Sequence, residues 1–145
     1  MTIAEIENAL LQRVRDHLPE VETVERYAGQ LEQEIDEMPF GSSAVFALYD
    51  GSDMTRADNQ FFFDNAAIST VIACRNLSGR GNAQVDAYAL FAQVRDLLTN
   101  QKLGLEIEPL TPTRIELVFV SGPLCVYGIR WQTAFEYTPS TPAKQ

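Results

Sequence analysis

The stretch CRNLSGRGNAQVDAYALFAQVRDLL, residues 74–98, contains a corner that could seat a phosphate. An apolar run ends in Gly79-Arg80-Gly81, and a helical pattern follows. A helix N-terminus presents unpaired backbone N–H groups to an anion. Dinucleotide folds, however, need a third glycine for close helix–strand packing, and here Asn82-Ala-Gln-Val85 follows instead. The Gly-Lys-Ser/Thr ending of a phosphate-binding P-loop is absent as well. The remaining readings of Gly79–Asn82 are a weak anion site using Arg80 or a connector whose glycines permit a tight turn.

The other reactive residue types are scattered. His17 is the only histidine, so there is no His cluster for zinc, and no Cys-x-x-Cys exists. Cys74 and Cys125 lie in strand-like runs and read as buried, unreactive thiols. A Cys–His pair joining one of them to His17 is the hydrolase alternative. Asp50, Asp53 and Asp58 share one polar stretch but do not follow the calcium-loop spacing. Glu106 and Glu108 would share one face of an extended segment, where a solvated face is the simpler reading than acid–base work. Trp131, Phe135 and Tyr137 alternate along the last apolar segment, a stripe that suits a core or an interface. The expectation is a protein without catalytic residues, metal or cofactor.

Composition points the same way. The net charge is −9, which disfavours gripping a phosphate backbone. Glu20, Glu22, Glu25, Glu32, Glu34, Asp36 and Glu37 crowd one region, opposed there by Arg26. That crowd reads as a solvated surface, or as a face toward a basic partner or a wall that DNA passes without sticking. No apolar run reaches the roughly 20 residues that cross a bilayer. With no export signal, a cytosolic protein with free thiols is expected.

The elements that must carry these residues suit one domain over 1–137, with 138–145 as a flexible tail. Thr2 and Glu5 stand in capping-box register before Ile3, Ile6, Leu10, Val14 and Leu18, which predicts an opening helix stopped by Pro19. Val21–Tyr27 has strand residues, residues 30–38 suit a short helix or turn, and Pro39-Phe-Gly41 a turn. Ser43–Tyr49 reads as a strand and Asp50–Asn59 as a polar loop. Phe61–Asp64 and Ala66–Arg75 read as one long strand or two. A second helix, capped by Asn82, is expected to end near Gly104. Leu105–Leu110 reads as extended, and Ile115–Val120 with Leu124–Tyr137 as a hairpin around Ser121-Gly-Pro123. The order predicts an α+β domain: a largely antiparallel, mixed β-sheet with two main helices packed on one face.

Three segments stand out: IAEIENALLQRVRDHLPEVETVERYAG, then ISTVIACRNLSGRGNAQVDAYALFAQVRDLL with LGLEIEPL, then IELVFVSGPLCVYGIRWQTAFEY. Together they resemble the Mu-like prophage tail protein family and, by architecture, phage tail terminator proteins. The ordered set carries the resemblance: an "A-R-N-L"-like strand end, here Cys74-Arg75-Asn76-Leu77, then a glycine loop, a Tyr-bearing helix, "L-G-L-x-I-x-P-L" and "L-x-V-Y". The resemblance implies a non-enzymatic virion tail protein, assembled in the host cytoplasm. As a terminator it would form a ring, a hexamer by the family's pattern, on the tail tube. It would stop tube growth and offer a surface for head joining. Its implied partners are other copies of itself, the tail tube protein, a sheath protein if the tail contracts, and a neck or head-completion protein. DNA would pass the lumen without specific binding. Arg75, Arg80, Arg114, Asp50 and Asp53 are the candidate subunit or partner contacts. The alternatives are a neck or head-completion protein and, in another class, a small-ligand or nucleotide-binding module at Gly79–Asn82.

Overall fold

A computed structural model describes residues 1–33, 38, 40–77 and 80–140, the side chain of Arg80 excepted. In chain order the elements are α1 (Ile3–His17), β1 (Thr23–Arg26), β2 (Ser43–Arg56), β3 (Phe62–Arg75), α2 (Arg80–Leu98), β4 (Thr111–Ser121) and β5 (Leu124–Tyr137). The strands form one sheet in the order β1-β2-β3-β5-β4. Only β1–β2 is parallel; every other neighbouring pair is antiparallel. This is the expected α+β architecture, a mixed sheet with the helices packed against it.

Helix α1 begins where the sequence says it should. Glu5 N–H donates to Thr2 Oγ1 at 3.2 Å, and Thr2 N–H donates back to the Glu5 carboxylate at 3.3 Å. That capping box satisfies two backbone donors that a bare helix end leaves unpaired. The stripe Ile6, Leu10 and Val14 is fully buried. Arg13 Nε donates to the Leu97 carbonyl at 2.9 Å, which ties α1 to the C-terminal end of α2. Arg26 anchors β1 to α1: its Nε donates to Glu7 Oε1 at 3.0 Å, and its Nη2 donates to Asn8 Oδ1 and the Ala4 carbonyl.

Alternation along the strands sorts the side chains into two layers. Val45, Ala47, Ile68, Ile72, Ile129 and Trp131 face the helices and build the main core with them. Trp131 is fully buried, and its indole N–H donates to Thr70 Oγ1 at 3.0 Å. Ala44, Phe46, Ala73, Leu124 and Val126 face the other way, where Met38 and Phe40 cover them. Glu22 accepts hydrogen bonds from Ser42 N–H at 2.9 Å and Ser42 Oγ at 3.1 Å, which hold its carboxyl below the usual range. A Cβ on Gly41 would sit 2.1 Å from Glu22 Oε2, so a side chain there would displace this carboxylate.

The structure corrects several boundaries. The polar stretch Asp50–Asn59 is not a loop: β2 continues to Arg56, paired with Phe62. The ladder survives because a bulge between Tyr49 and Gly51, with Gly51 at φ +110°, absorbs one residue. The turn itself is short, with Asp58 Oδ1 accepting from Gln60 N–H at 2.6 Å and Phe61 N–H at 3.1 Å. The two readings of 61–75 resolve into one strand, β3. Helix α2 already includes Arg80, so Asn82 lies in its first turn rather than capping it. It ends at Leu98, not near Gly104, because the Thr99 hydroxyl bonds back to the Arg95 carbonyl and Asn100 N–H turns to the Leu110 carbonyl. Gly104 instead serves a later left-handed turn at φ +72°. Strand β4 is longer than expected and carries Pro112, tolerated because β4 lies at the sheet edge. The readings at 34–37, Pro39, 78–79 and 141–145 lie outside the described residues.

Two measurements test this core. Thr70→Val keeps the side-chain shape but leaves the Trp131 N–H buried without its acceptor. It should cost about 1–3 kcal/mol, seen as a lower urea midpoint at unchanged slope; an unmoved midpoint would remove the bond from the account. Cys74 and Cys125 oppose each other across β3 and β5, both buried. Burial disfavours the thiolate and pushes Cys74 up to about 12, with Asp86 adding to the shift; burial raises Cys125 too. Ellman's reagent should therefore label the folded chain slowly and without acceleration between about pH 7 and 9, where an ordinary thiol of pKa about 8.5 speeds up. Labelling should be complete in denaturant, and fast labelling of the folded chain would contradict the buried pair.

Candidate functional site

The helices cover one face of the sheet, and Tyr27, Leu31, Met38 and Phe40 pack against part of the other. Where that second cover stops, a groove remains. Its volume is about 320 Å³. Leu48, Val71 and Gly128 contribute to its floor, Tyr27 and Leu31 to its wall, and Asp50, Glu116 and Arg130 to its polar rim. Gly128 keeps the floor low: a Cβ there would stand in ordinary contact with Val118 at 3.6 Å. Asp50 accepts a hydrogen bond from Ser69 Oγ on the adjacent strand, so the rim is partly self-satisfied. Its polar lining is made of carboxylates, one arginine and the hydroxyls of Tyr27 and Ser69.

Both edges of the sheet are open over part of their length. Strand β1 pairs with β2 only from Ala44 to Ala47, and Tyr27 N–H extends the contact to the Ala47 carbonyl. Among the described residues no strand flanks Leu48–Arg56 on that side. At the opposite edge β4 is the terminal strand. Exposed strand edges present unpaired N–H and C=O groups and are natural sites of strand addition. Both edges also show apolar side chains to solvent: Met54 is 50% exposed on β2, and Leu117 is 53% exposed on β4.

The residues singled out in the sequence do not form one site. Asp50 and Asp53 lie on the open half of β2, and Arg114 lies on β4 at the other edge. Arg114 Nε pairs with Glu116 at 2.8 Å on its own strand, both side chains being largely exposed. Arg75 sits at the other end of β3, half-buried, with its guanidinium 5.2 Å from the centre of the Phe40 ring. That contact holds it against its own chain. Arg80 begins α2, and its side chain lies outside the described residues. His17 is exposed, with Nδ1 3.1 Å from the Arg13 carbonyl, whereas both thiols are buried. The Cys–His pair is therefore not assembled. At the helical corner Asn76 Nδ2 donates to Asp86 at 2.9 Å, which places a carboxylate beside the start of α2. Glu106 and Glu108 are both exposed. Trp131 and Phe135 belong to the core, while Tyr137 is 47% exposed.

Sequence reasoning missed the groove and the aromatic cluster beside β4. Tyr88 and Phe91 of α2 meet Tyr127 of β5, with ring centroids 5.8 and 5.2 Å away. The hydrogen bond with Tyr88 pushes the Tyr127 phenol above its ordinary pKa. One signal was present: Phe46, Leu48, Val71 and Val126 are apolar on the face away from the helices, which requires a second cover or a partner.

No curated protein matches the chain. The family model described as "Bacteriophage Mu, Gp37" matches residues 2–136. This span takes in both helices and all but the last residue of the sheet. With nearly its whole length matched, the chain belongs to the bacteriophage Mu Gp37 family.

Proposed function

We propose that this chain is a non-enzymatic tail-assembly protein of a Mu-like phage or prophage, and within that class a tail terminator. The family match carries the reading, because it spans the folded domain rather than a motif within it. A phage structural or assembly role is the coarser part. The terminator role is the finer part and rests on the architecture: a small α+β subunit with open edges and a groove, and reactive side chains kept apart. In this role copies of the chain cap the finished tail tube as a hexameric ring. They stop its growth and receive the head through a neck or head-completion protein. A sheath protein joins if the tail contracts.

Charge supports the same reading. A net charge of −9 suits a lumen through which DNA slides without being held. No helix among the described residues is long and apolar enough to cross a membrane. The proposed location is the virion tail, after assembly in the host cytoplasm.

Deleting the gene from a phage-producing strain tests the role directly. Electron microscopy should show overlong tails of irregular length that fail to join heads. Tails of correct length left unattached would move the protein to the neck. Normal tails joined to heads would refute a role in tail assembly.

A further inference from the structure

The two open edges of the sheet match each other face by face. On the helix side, the open half of β2 displays Tyr49 and Met54, and β4 displays Leu117 and Val120, all exposed. Register fixes these positions: Tyr49 pairs with Ile68 and Leu117 with Tyr127, both on the helix side. On the other face the β2 edge carries Asp50 and Asp53, and the β4 edge carries Arg114, next to Arg130 of β5. Apolar side chains thus correspond to apolar ones, and on the other face Arg114, with Glu116 beside it, stands where a cation can meet the carboxylates. The exposed Arg114–Glu116 pair costs little to exchange for another partner, since such surface pairs contribute at most about 1 kcal/mol.

Direction agrees as well. β5 runs parallel to β2, because both are antiparallel to β3, and β4 runs antiparallel to β5. A sheet continued through copies that face the same way therefore sets β4 of one copy antiparallel to β2 of the next. Pro112 and the bulges around residues 113 and 118 interrupt the β4 edge. They confine an added strand to the stretch between them and keep the edge from accepting any strand at random.

We propose that copies of this chain join edge to edge, the open half of β2 in one copy pairing with β4 of the next to continue one sheet. The contact is heterologous: it uses a different edge on each side, so it repeats and closes when the rotation allows. Pairing of like edges would stop at two copies and bring Asp50 and Asp53 against their own equivalents. The proposal deepens the ring reading and rests on it for closure.

Cysteine cross-linking in the full chain decides it. Asp53→Cys and Arg114→Cys are introduced singly and together in a phage-producing strain, and fresh lysates are treated with a short bis-maleimide. The buried native thiols leave the background low. The double variant should give a ladder of multimers above the dimer, and each single variant should stay monomeric. A dimer from either single variant would show like-edge pairing and overturn the proposal. So would the absence of a ladder both here and in a second pair, Asp50→Cys with Glu116→Cys. Tail length in the deletion strain reads the terminator role separately. A ladder without a tail-length defect keeps the edge contact and drops the terminator; the reverse drops the contact alone.

Discussion

The ladder on both sides of β3 is the constraint on which the rest of the fold depends. β3 is hydrogen-bonded along Phe62–Arg75 to β5 and along nearly the same length to β2. Three such strands of 14 residues run about 46 Å, while helices of 15 and 19 residues reach about 22 and 28 Å. The helices therefore cannot cover the whole sheet. The Trp131–Thr70 bond lies within the covered portion, where the apolar burial is concentrated. Beyond it the strands keep smaller contacts, such as Phe62 with Tyr137 and Arg56 over the Phe62 ring, and more of their side chains are polar or exposed.

This mismatch explains what could be read from the residues. Where one face is buried and the other wet, the pattern is plain: the stripe of α1, the alternation of β5 and the turn between β4 and β5 all show it. The outer half of β2 has both faces in solvent, so Asp50–Arg56 carries no alternation and looks like a loop. The end of α2 hid for another reason. Leu103 and Leu105 continue an apolar spacing, yet the chain has already left the helix at Leu98 and packs them as a turn against the core. Charges such as Arg114 and Asp53 could be singled out locally, but only strand order shows that they occupy opposite edges. The groove was legible only as an excess of apolar residues on the second face.

The acidic region reads differently with the fold in hand. Glu22 organises the start of β2 through Ser42, Glu25 accepts from Gln30, and Arg26 joins β1 to α1 through Glu7. These charges hold the parallel edge strand and the segment that crosses the second face. They help define where β1 ends, and so how much of β2 is left unpaired. The composition that disfavours a nucleic-acid grip thus also shapes a protein surface.

The bulge at Gly51 has a consequence for inheritance. Side chains alternate along a strand, so an extra residue with no bulge would turn every later side chain to the opposite face. The bulge takes up that residue, and Ser52–Arg56 keep the faces that their β3 partners fix. Loss of a single codon at the bulge would therefore leave Met54 on the helix side and Asp53 on the other, and remove only the local irregularity. Among diverging copies of this gene, a one-residue difference in length between Tyr49 and Gly51 is thus compatible with the same two sheet faces.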